Sequence, residues 1–374
     1  DPHSQFLDPE EYKELKTETQ GRFGGLGIEI SIRDGLLTVI APIEDTPAWK
    51  AGMQAGDRIV KIEDEPTKDI TLGEAVKQLR GEPGTDINIT VLREDEFKIL
   101  EFTITREIIH IQDVKHTQIL QDNIGYIRLT EFREDSADEF RKALKELGDQ
   151  GADALVLDLR NNPGGLLNVA IDITEQFLHE GDIIVSTKGR RYSQNTVTRS
   201  RNKKENDWPT VVLINEGSAS GSEILAGALK DNKRAIVLGE KSFGKGSVQS
   251  VIPLPDGSGL RLTTSKYFTP SGESIHEIGI NPDIEVEYIP TPKEDEKEEK
   301  EKDLDKIFDD VEMNESDDPE TLKEEKRELE VRERLLNDNQ VQAAISVLNG
   351  IRVFKSFSDK EVADTASVET YVDE

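Results

Sequence analysis

The sequence predicts a multidomain chain of mixed α+β and α/β class: a strand-rich N-terminal segment, an α/β core, and an acidic, helical C-terminal appendage. Three observations carry this expectation. A continuous apolar run, Ala154 to Leu159, passes through a polar Gly/Pro turn into an apolar helical stretch from Leu166 onward, the texture found at the carboxyl edge of an α/β sheet. Residues 23–107 alternate short β-prone runs with glycine-rich turns and only two brief helical patterns. From Lys293 the composition turns to charge, with thirteen of the fourteen residues from Lys293 to Lys306 being Asp, Glu or Lys.

Composition bounds what these elements can do. At 374 residues the chain has room for two or three domains. Its net charge of −30 is unevenly spread, since 13 basic and 27 acidic residues from Lys293 onward leave −14 in that tail alone. So negative a chain, without basic runs, disfavours nucleic acid and anionic membrane surfaces as partners. No apolar stretch approaches the roughly 20 residues that span a bilayer, and no signal-like apolar region opens the chain, so a soluble ectodomain is expected. The absence of cysteine excludes disulfides and thiol catalysis and leaves the redox compartment open.

Taken in order, residues 1–22 form a short helical lead-in. Phe23, Gly24, Gly25, Leu26 and Gly27 make a glycine-rich loop ahead of a strand begun by Ile28 and Ile30. Leu72, Ala75, Val76 and Leu79 recur at helical spacing and give the next helix one apolar face. Core residues 108–290 contain a second helix, SEILAGALKD, then a buried strand, RAIVLGE, then the turn KSFGKG. A hairpin around PDGSG follows and is expected to extend the core sheet. In the tail, 291–374, Asp318-Pro319 offers a helix start, Leu322, Leu329 and Leu336 repeat every seven residues, and VQAAISVLNG ends at Gly350. So narrow a stripe buries itself against the core or against a second copy, the latter making a homodimer. The acidic linker lacks the alternating Asp/Asn ligands, central Gly and closing Glu of a calcium loop. No metal or cofactor is expected.

Chemistry concentrates between Asn215 and Gln249. Ser220 sits at the N-terminus of SEILAGALKD, where free backbone N–H groups, notably that of Gly221, can stabilise an oxyanion. Lys245 lies in the following turn, between Gly244 and Gly246. A serine hydroxyl needs a base, and a lysine serves only when desolvation lowers its pKa from about 10.4 toward neutrality. His3, His110, His116, His179 and His276 all lie outside this segment. On local features alone, a serine before a helix is also an ordinary N-cap and a lysine in a Gly-rich turn an ordinary solvated charge. GEKSFGKG approaches a phosphate-binding loop, but Gly246 replaces the hydroxyl residue and a β-rich run follows instead of a helix, so nucleotide binding is rejected.

SASGSEILAGALKD followed by GEKSFGKGSVQ closely resembles the active-site segment of the C-terminal processing peptidases, or tail-specific proteases, which are serine endopeptidases with a Ser–Lys dyad. The family's spacing of twenty-five positions selects Ser220 over Ser218 and Ser222 and pairs it with Lys245. By the same matching, Gln249 orients the amine and Asp231 is a supporting acid, although Asp231 is equally an ordinary C-terminal helix residue. Gly221 replaces a common alanine and keeps the backbone donor. The resemblance assigns the DLRNNPGG turn, through Gly164 and Gly165, to the second half of the oxyanion hole; a tight turn with a helix cap is the plain alternative.

Residues 23–107 resemble a PDZ domain of bacterial proteases, PAWKAGMQAGDRIVKI carrying the A-G-x-x-x-G-D-x-I pattern. Such domains add an extended peptide to a sheet edge and hold its terminal carboxylate on backbone amides. Phe23, Gly24, Gly25, Leu26 and Gly27 are the candidate carboxylate loop, Ile28 the start of the pairing strand, and Leu72 and Val76 the groove-lining positions. The resemblance implies protein or peptide substrates with exposed C-termini, some of them membrane-tethered, an exocytoplasmic location, and a homodimer. The opening DPHSQFLDPEE resembles the interior of family sequences, so a signal or anchor segment is expected to precede it. Competing readings are a catalytically inactive PDZ scaffold and a small-molecule esterase or amidase, for which the PDZ domain has no evident use.

Overall fold

The computed structural model describes residues 1, 4–93, 98–203, 206–290 and 329–369. The linker Lys293 to Lys306, Asp318-Pro319 and Leu322 lie outside these residues. The chain forms two compact units, Asp1–Tyr12 with Asp113–Glu374, and Lys13–Gln112. The expected lead-in over 1–22 is therefore divided. β1 (Gln5–Leu7) pairs with a strand of the larger unit, and the boundary falls inside α1 (Pro9–Gln20). Asp8 starts α1, its carboxylate accepting from the N–H groups of Glu10 and Glu11.

The smaller unit runs through β2 (Arg22–Gly25), β3 (Ile28–Arg33), β4 (Leu36–Pro42), α2 (Pro47–Lys50), β5 (Arg58–Ile62), β6 (Glu65–Pro66), α3 (Leu72–Leu79), β7 (Asp86–Arg93), β8 (Lys98–Thr105) and β9 (Glu107–His110). Strands β3-β4-β5-β7-β8 form an antiparallel sheet with β3 at its edge. Its core gathers Leu37, Val39, Ile59, Ile87, Ile89 and Val91. Thr71 and Glu74 close a capping box on α3. The four apolar positions of α3 divide: Ala75 and Leu79 enter the core, whereas Val76 is half-buried and Leu72 exposed. The predicted glycine-rich loop is shorter than expected, because Phe23, Gly24 and Gly25 belong to β2, paired with β9. A Cβ on Gly24 would lie 2.0 Å from the Gly81 carbonyl oxygen, so the residue type is set there by a passing backbone. Leu26 and Gly27, the latter at φ +76°, make the turn into β3.

The larger unit contains β10 (Val114–Ile119), β11 (Ile124–Leu129), α4 (Ser136–Asp149), β12 (Ala154–Asp158), α5 (Leu167–Thr174), β13 (Ile183–Gly189), β14 (Thr196–Arg199), β15 (Thr210–Ile214), α6 (Gly221–Asp231), β16 (Ile236–Gly239), β17 (Ser247–Pro253), β18 (Gly259–Phe268), β19 (Ile284–Glu285) and α7 (Asn339–Glu369). One sheet has the order β10-β11-β12-β15-β16-β19, parallel from β11 onward. Alternate residues bury on opposite faces. Ile127, Leu129, Leu155, Leu157, Val212 and Ile214 meet α4, α5 and α6 through Phe140, Ile173 and Leu225. Tyr126, Ala154, Val156, Val211 and Leu213 meet Leu335, Val341, Ala344, Ile345 and Leu348 instead. Both faces being covered is why β12 and β15 are buried throughout and, Asp158 and Thr210 apart, apolar.

Two expectations change here. The β17–β18 hairpin does not extend this sheet; β18 also pairs with β1 and β13, building a second, antiparallel sheet. The tail helix does not end at Gly350 but runs on to Glu369. Glycine inside a helix costs only about 1 kcal/mol, and hydrogen bonds from Asn349 and Arg352 to Asp122 hold both flanks of Gly350. The first part of that helix packs on the chain's own sheet, one of the two burials the sequence left open. No helix among the described residues is long and apolar enough to cross a membrane.

Candidate active site

Two neighbouring parallel strands, β12 and β15, end side by side, and the loops leaving their carboxyl ends are tied together. Asn161 N–H donates to Asn215 Oδ1 at 2.8 Å, and Asn215 Nδ2 returns a bond to Asn161 Oδ1 at 3.0 Å. The Asn162 carbonyl accepts from Ala219 N–H at 3.0 Å and from Ser222 Oγ at 2.9 Å. Ser218 Oγ donates to the Leu159 carbonyl at 2.8 Å. Ser218 and Ser222 are thus buried and committed, while Ser220 between them stays partly exposed at the head of α6. Ser220 has φ +50° and ψ −108°, a strained conformation for a residue with a side chain. A strained strand-to-helix turn is a recurrent way to lift a hydroxyl clear of a sheet edge.

The glycine turn abuts that serine. A Cβ built on Gly164, at φ +98°, would fall 2.7 Å from each of Ser220 Cβ, Gly221 N and the Ala219 carbonyl oxygen. Gly165, at φ +145°, passes against Phe132, whose carbonyl oxygen would be 2.2 Å from an added Cβ. Phe132 N–H donates to the Gly164 carbonyl at 2.9 Å, and Leu166 N–H donates to the Phe132 carbonyl at 2.7 Å. The two glycine amides differ in their commitments. Gly164 N–H donates to Asn162 Oδ1 at 2.9 Å, whereas no acceptor among the described residues takes the N–H of Gly165 or of Gly221.

The residue that joins serine to lysine is one the sequence reading left without a role. Glu223, fully buried in the first turn of α6, accepts four hydrogen bonds. Oε2 takes Ser220 N–H and Lys245 N–H, each at 2.8 Å; Oε1 takes Gly244 N–H and Ser242 Oγ, each at 2.6 Å. Because one oxygen touches both amides, the backbone nitrogens of Ser220 and Lys245 are no further apart than twice that contact. Burial pushes the Glu223 carboxyl above its ordinary value, against the lowering effect of these hydrogen bonds. The available signal was the capping-box spacing of Ser220 and Glu223.

Lys245 and Gln249 are both half-buried, with Gln249 on β17 past a register shift at Val248. No hydrogen bond joins Lys245 Nζ to Ser220 Oγ among the described residues; such contacts are commonly completed by substrate. Asp231 is not brought to them. It ends α6, roughly 16 Å from the serine end at 1.5 Å per residue, and its carboxylate accepts from Ser271 N–H at 2.9 Å. The backbone of His276 passes against the lysine turn, its N lying 2.2 Å from where a Gly246 Cβ would stand. Its Nε2 is 3.9 Å from Glu277 Oε1.

A partly exposed serine on a strained turn, beside unengaged amides and a tethered lysine loop, is the equipment of a nucleophilic hydrolase. Residues 123–286 match the family model of peptidase family S41, and residues 38–93 match that of a PDZ domain. The carboxy-terminal-processing protease of Bartonella bacilliformis is 49% identical over 300 residues, covering 78% of this chain and 68% of that protein. The carboxyl-terminal-processing protease of Synechocystis sp. is 42% identical over 294 residues, covering 77% and 68%. A solved structure of a photosystem II D1 C-terminal processing protease is 32% identical with a TM-score of 0.47, covering 77% of this chain and 78% of that one. The chain belongs to the carboxy-terminal-processing proteases of peptidase family S41, serine-type peptidases that here carry a PDZ domain.

Proposed function

We propose that the chain is an endopeptidase in which Ser220 is the nucleophile and Lys245 its base, acting on proteins captured by their C-terminus in the PDZ domain. Lys245, in its neutral form, takes the Ser220 Oγ proton as Oγ attacks a peptide carbonyl. The oxyanion forms against the amides of Gly221 and Gly165, with Gly164 supplying clearance. Lys245 then protonates the leaving amine, and water resolves the acyl-enzyme by the reverse proton path. Gln249, at the start of β17, orients the amine. The observation that carries this reading is the shared Glu223 oxygen, which holds the backbones of Ser220 and Lys245 together.

Capture follows from the edge position of β3 and from half-buried Ile28 and Val76 with exposed Leu72. An extended C-terminus adds to β3, its carboxylate meets the amides around Leu26 and Gly27, and its apolar side chains meet α3. The test compares wild type, Ser220→Ala and Lys245→Ala on a protein with an apolar C-terminal tail, free or amidated. Both variants should lose about 10⁴-fold or more in kcat, and amidation should raise KM while kcat holds. Equal cleavage by all three proteins overturns the dyad. Binding without cleavage by wild type favours the scaffold reading.

A further inference from the structure

A buried ion cluster ties the oxyanion turn to a part of the chain more than 170 residues away. Arg160 directly precedes Asn161 and Asn162 on the way to Gly164. Its guanidinium is held on two sides. Toward its own strand, Nε lies 3.0 and 3.1 Å from the two Asp158 carboxylate oxygens, and Nη2 donates to Oδ2 at 2.7 Å. Toward the tail, Nη1 donates to Asp338 Oδ2 and Gln340 Oε1, both at 2.8 Å. Asp158, Arg160 and Gln340 are 0, 7 and 1% exposed. Tyr126 Oη also donates to Asp158, at 2.7 Å, and Arg128 stands 3.8 Å from it.

The tail side is equally well defined. Asp338 heads α7, with Oδ1 accepting from Gln340 N–H at 2.9 Å and Val341 N–H at 3.1 Å. One carboxylate therefore caps the helix with one oxygen and meets Arg160 with the other. Gln340 Nε2 donates to the Val286 carbonyl at 2.7 Å, just past β19. Buried ion pairs give little net stability over apolar packing, but a planar guanidinium gripped by several acceptors fixes orientation. The backbone whose orientation is fixed here carries Gly164, which passes against Ser220, and Gly165, whose N–H meets no acceptor among the described residues.

We propose that Asp338 and Gln340 are positioning residues of the catalytic centre: the docked start of α7 grips Arg160 and so holds the Asn161–Gly165 turn in oxyanion-binding geometry. The inference rests on the Ser220–Lys245 reading. It predicts that transition-state binding depends on this grip more than on the rest of the α7 docking surface.

The test uses the full chain with Asp338→Asn, which keeps a helix-capping oxygen but turns a donor toward Arg160, and Gln340→Met, which keeps volume and removes the acceptor. Arg352→Ala is the control, since it loses docking contacts to Asp122 and Asp153 away from the turn. With active sites counted by acyl burst, Asp338→Asn should lose about 10- to 100-fold in kcat per site with KM within about twofold. Gln340→Met should lose less, and Arg352→Ala should keep wild-type kcat per site at a comparable loss of Tm. Peptide-level amide exchange over 160–166 should accelerate in the first two and not in the control. Wild-type kcat per site and unchanged exchange in Asp338→Asn or Gln340→Met overturn the proposal, as does an equal kcat loss in Arg352→Ala. The exchange result decides the positional claim even if Ser220→Ala cleaves normally, an outcome that sinks the peptidase reading alone.

Discussion

Gly24-Gly25 in the PDZ domain and Gly164-Gly165 in the protease core are glycine pairs of similar appearance in sequence, and they are glycine for different reasons. The first pair lies in β2 with negative φ, and packing leaves no room for a side chain: the Gly81 carbonyl oxygen passes against Gly24 and the Phe23 ring against Gly25. The second pair has φ of +98° and +145°, so conformation and proximity both exclude a Cβ, and the excluded neighbours are Ser220, Gly221 and Phe132. A packing glycine fails through stability; a site glycine fails through rate. The contrast suggests substitutions that break it or sharpen it.

The largest effect is expected for Gly164→Ala, which forces a Cβ onto the serine turn: kcat on a short untailed peptide should fall about 10²- to 10³-fold, as when an oxyanion donor is lost. Gly24→Ala should instead lower the unfolding temperature of the PDZ domain and leave kcat on that peptide within a few-fold. A matching kcat loss in both variants would erase the distinction.

Glu223→Gln comes next, because the amide group turns a donor toward the N–H groups of Ser220 and Lys245. A misplacement of that kind should cost about 10²-fold in kcat. It also has a pH signature. Burial raises the Glu223 carboxyl, so the folded chain holds that proton more tightly than the unfolded chain. The corresponding stabilisation is present below the ordinary carboxylate range and is lost as pH rises through the raised value. Denaturant titrations from about pH 7 to about pH 4 should therefore show wild type gaining stability relative to Glu223→Gln. A difference independent of pH contradicts the assignment.

Leu72→Ser and Val76→Ser act at the groove, away from both glycine pairs. Each should raise KM for a substrate with an apolar C-terminal tail by several-fold, about 1 kcal/mol of apolar contact, with kcat unchanged on a short peptide. The smallest effect belongs to Asp231→Ala, which loses one hydrogen bond to Ser271 and should leave activity within about twofold. A catalytic collapse there would restore Asp231 to the site.

How far the site was legible follows from the range of each signal. Ser220, Lys245 and the Gly164-Gly165 turn stand in short motifs whose glycines, helix start and spacing are local properties. Asp231 lies at the far end of α6 with its carboxylate on Ser271 N–H, a placement the sequence does not reveal because nearness along α6 says nothing of which helix end faces the loops. Glu223 was visible only as a capping partner, since its bonds to Ser242, Gly244 and Lys245 reach across to another turn. The β17–β18 hairpin was legible as a hairpin, but its sheet was not, because pairing with β1 and β13 is a long-range choice.

The sequence by itself determined the parts that depend on neighbours in the chain: apolar strands, helix starts, glycine turns, and the placing of one serine at a helix head. Tertiary structure decided which parts meet. A sheet whose strands are apolar on alternate faces needs two covers, and α4, α5 and α6 supply only one. The second comes from residues 335–348, beyond a long acidic stretch, and it brings Asp338 and Gln340 to Arg160. No local pattern encodes that meeting, because burial and ion pairing reward closeness in space at any separation along the chain.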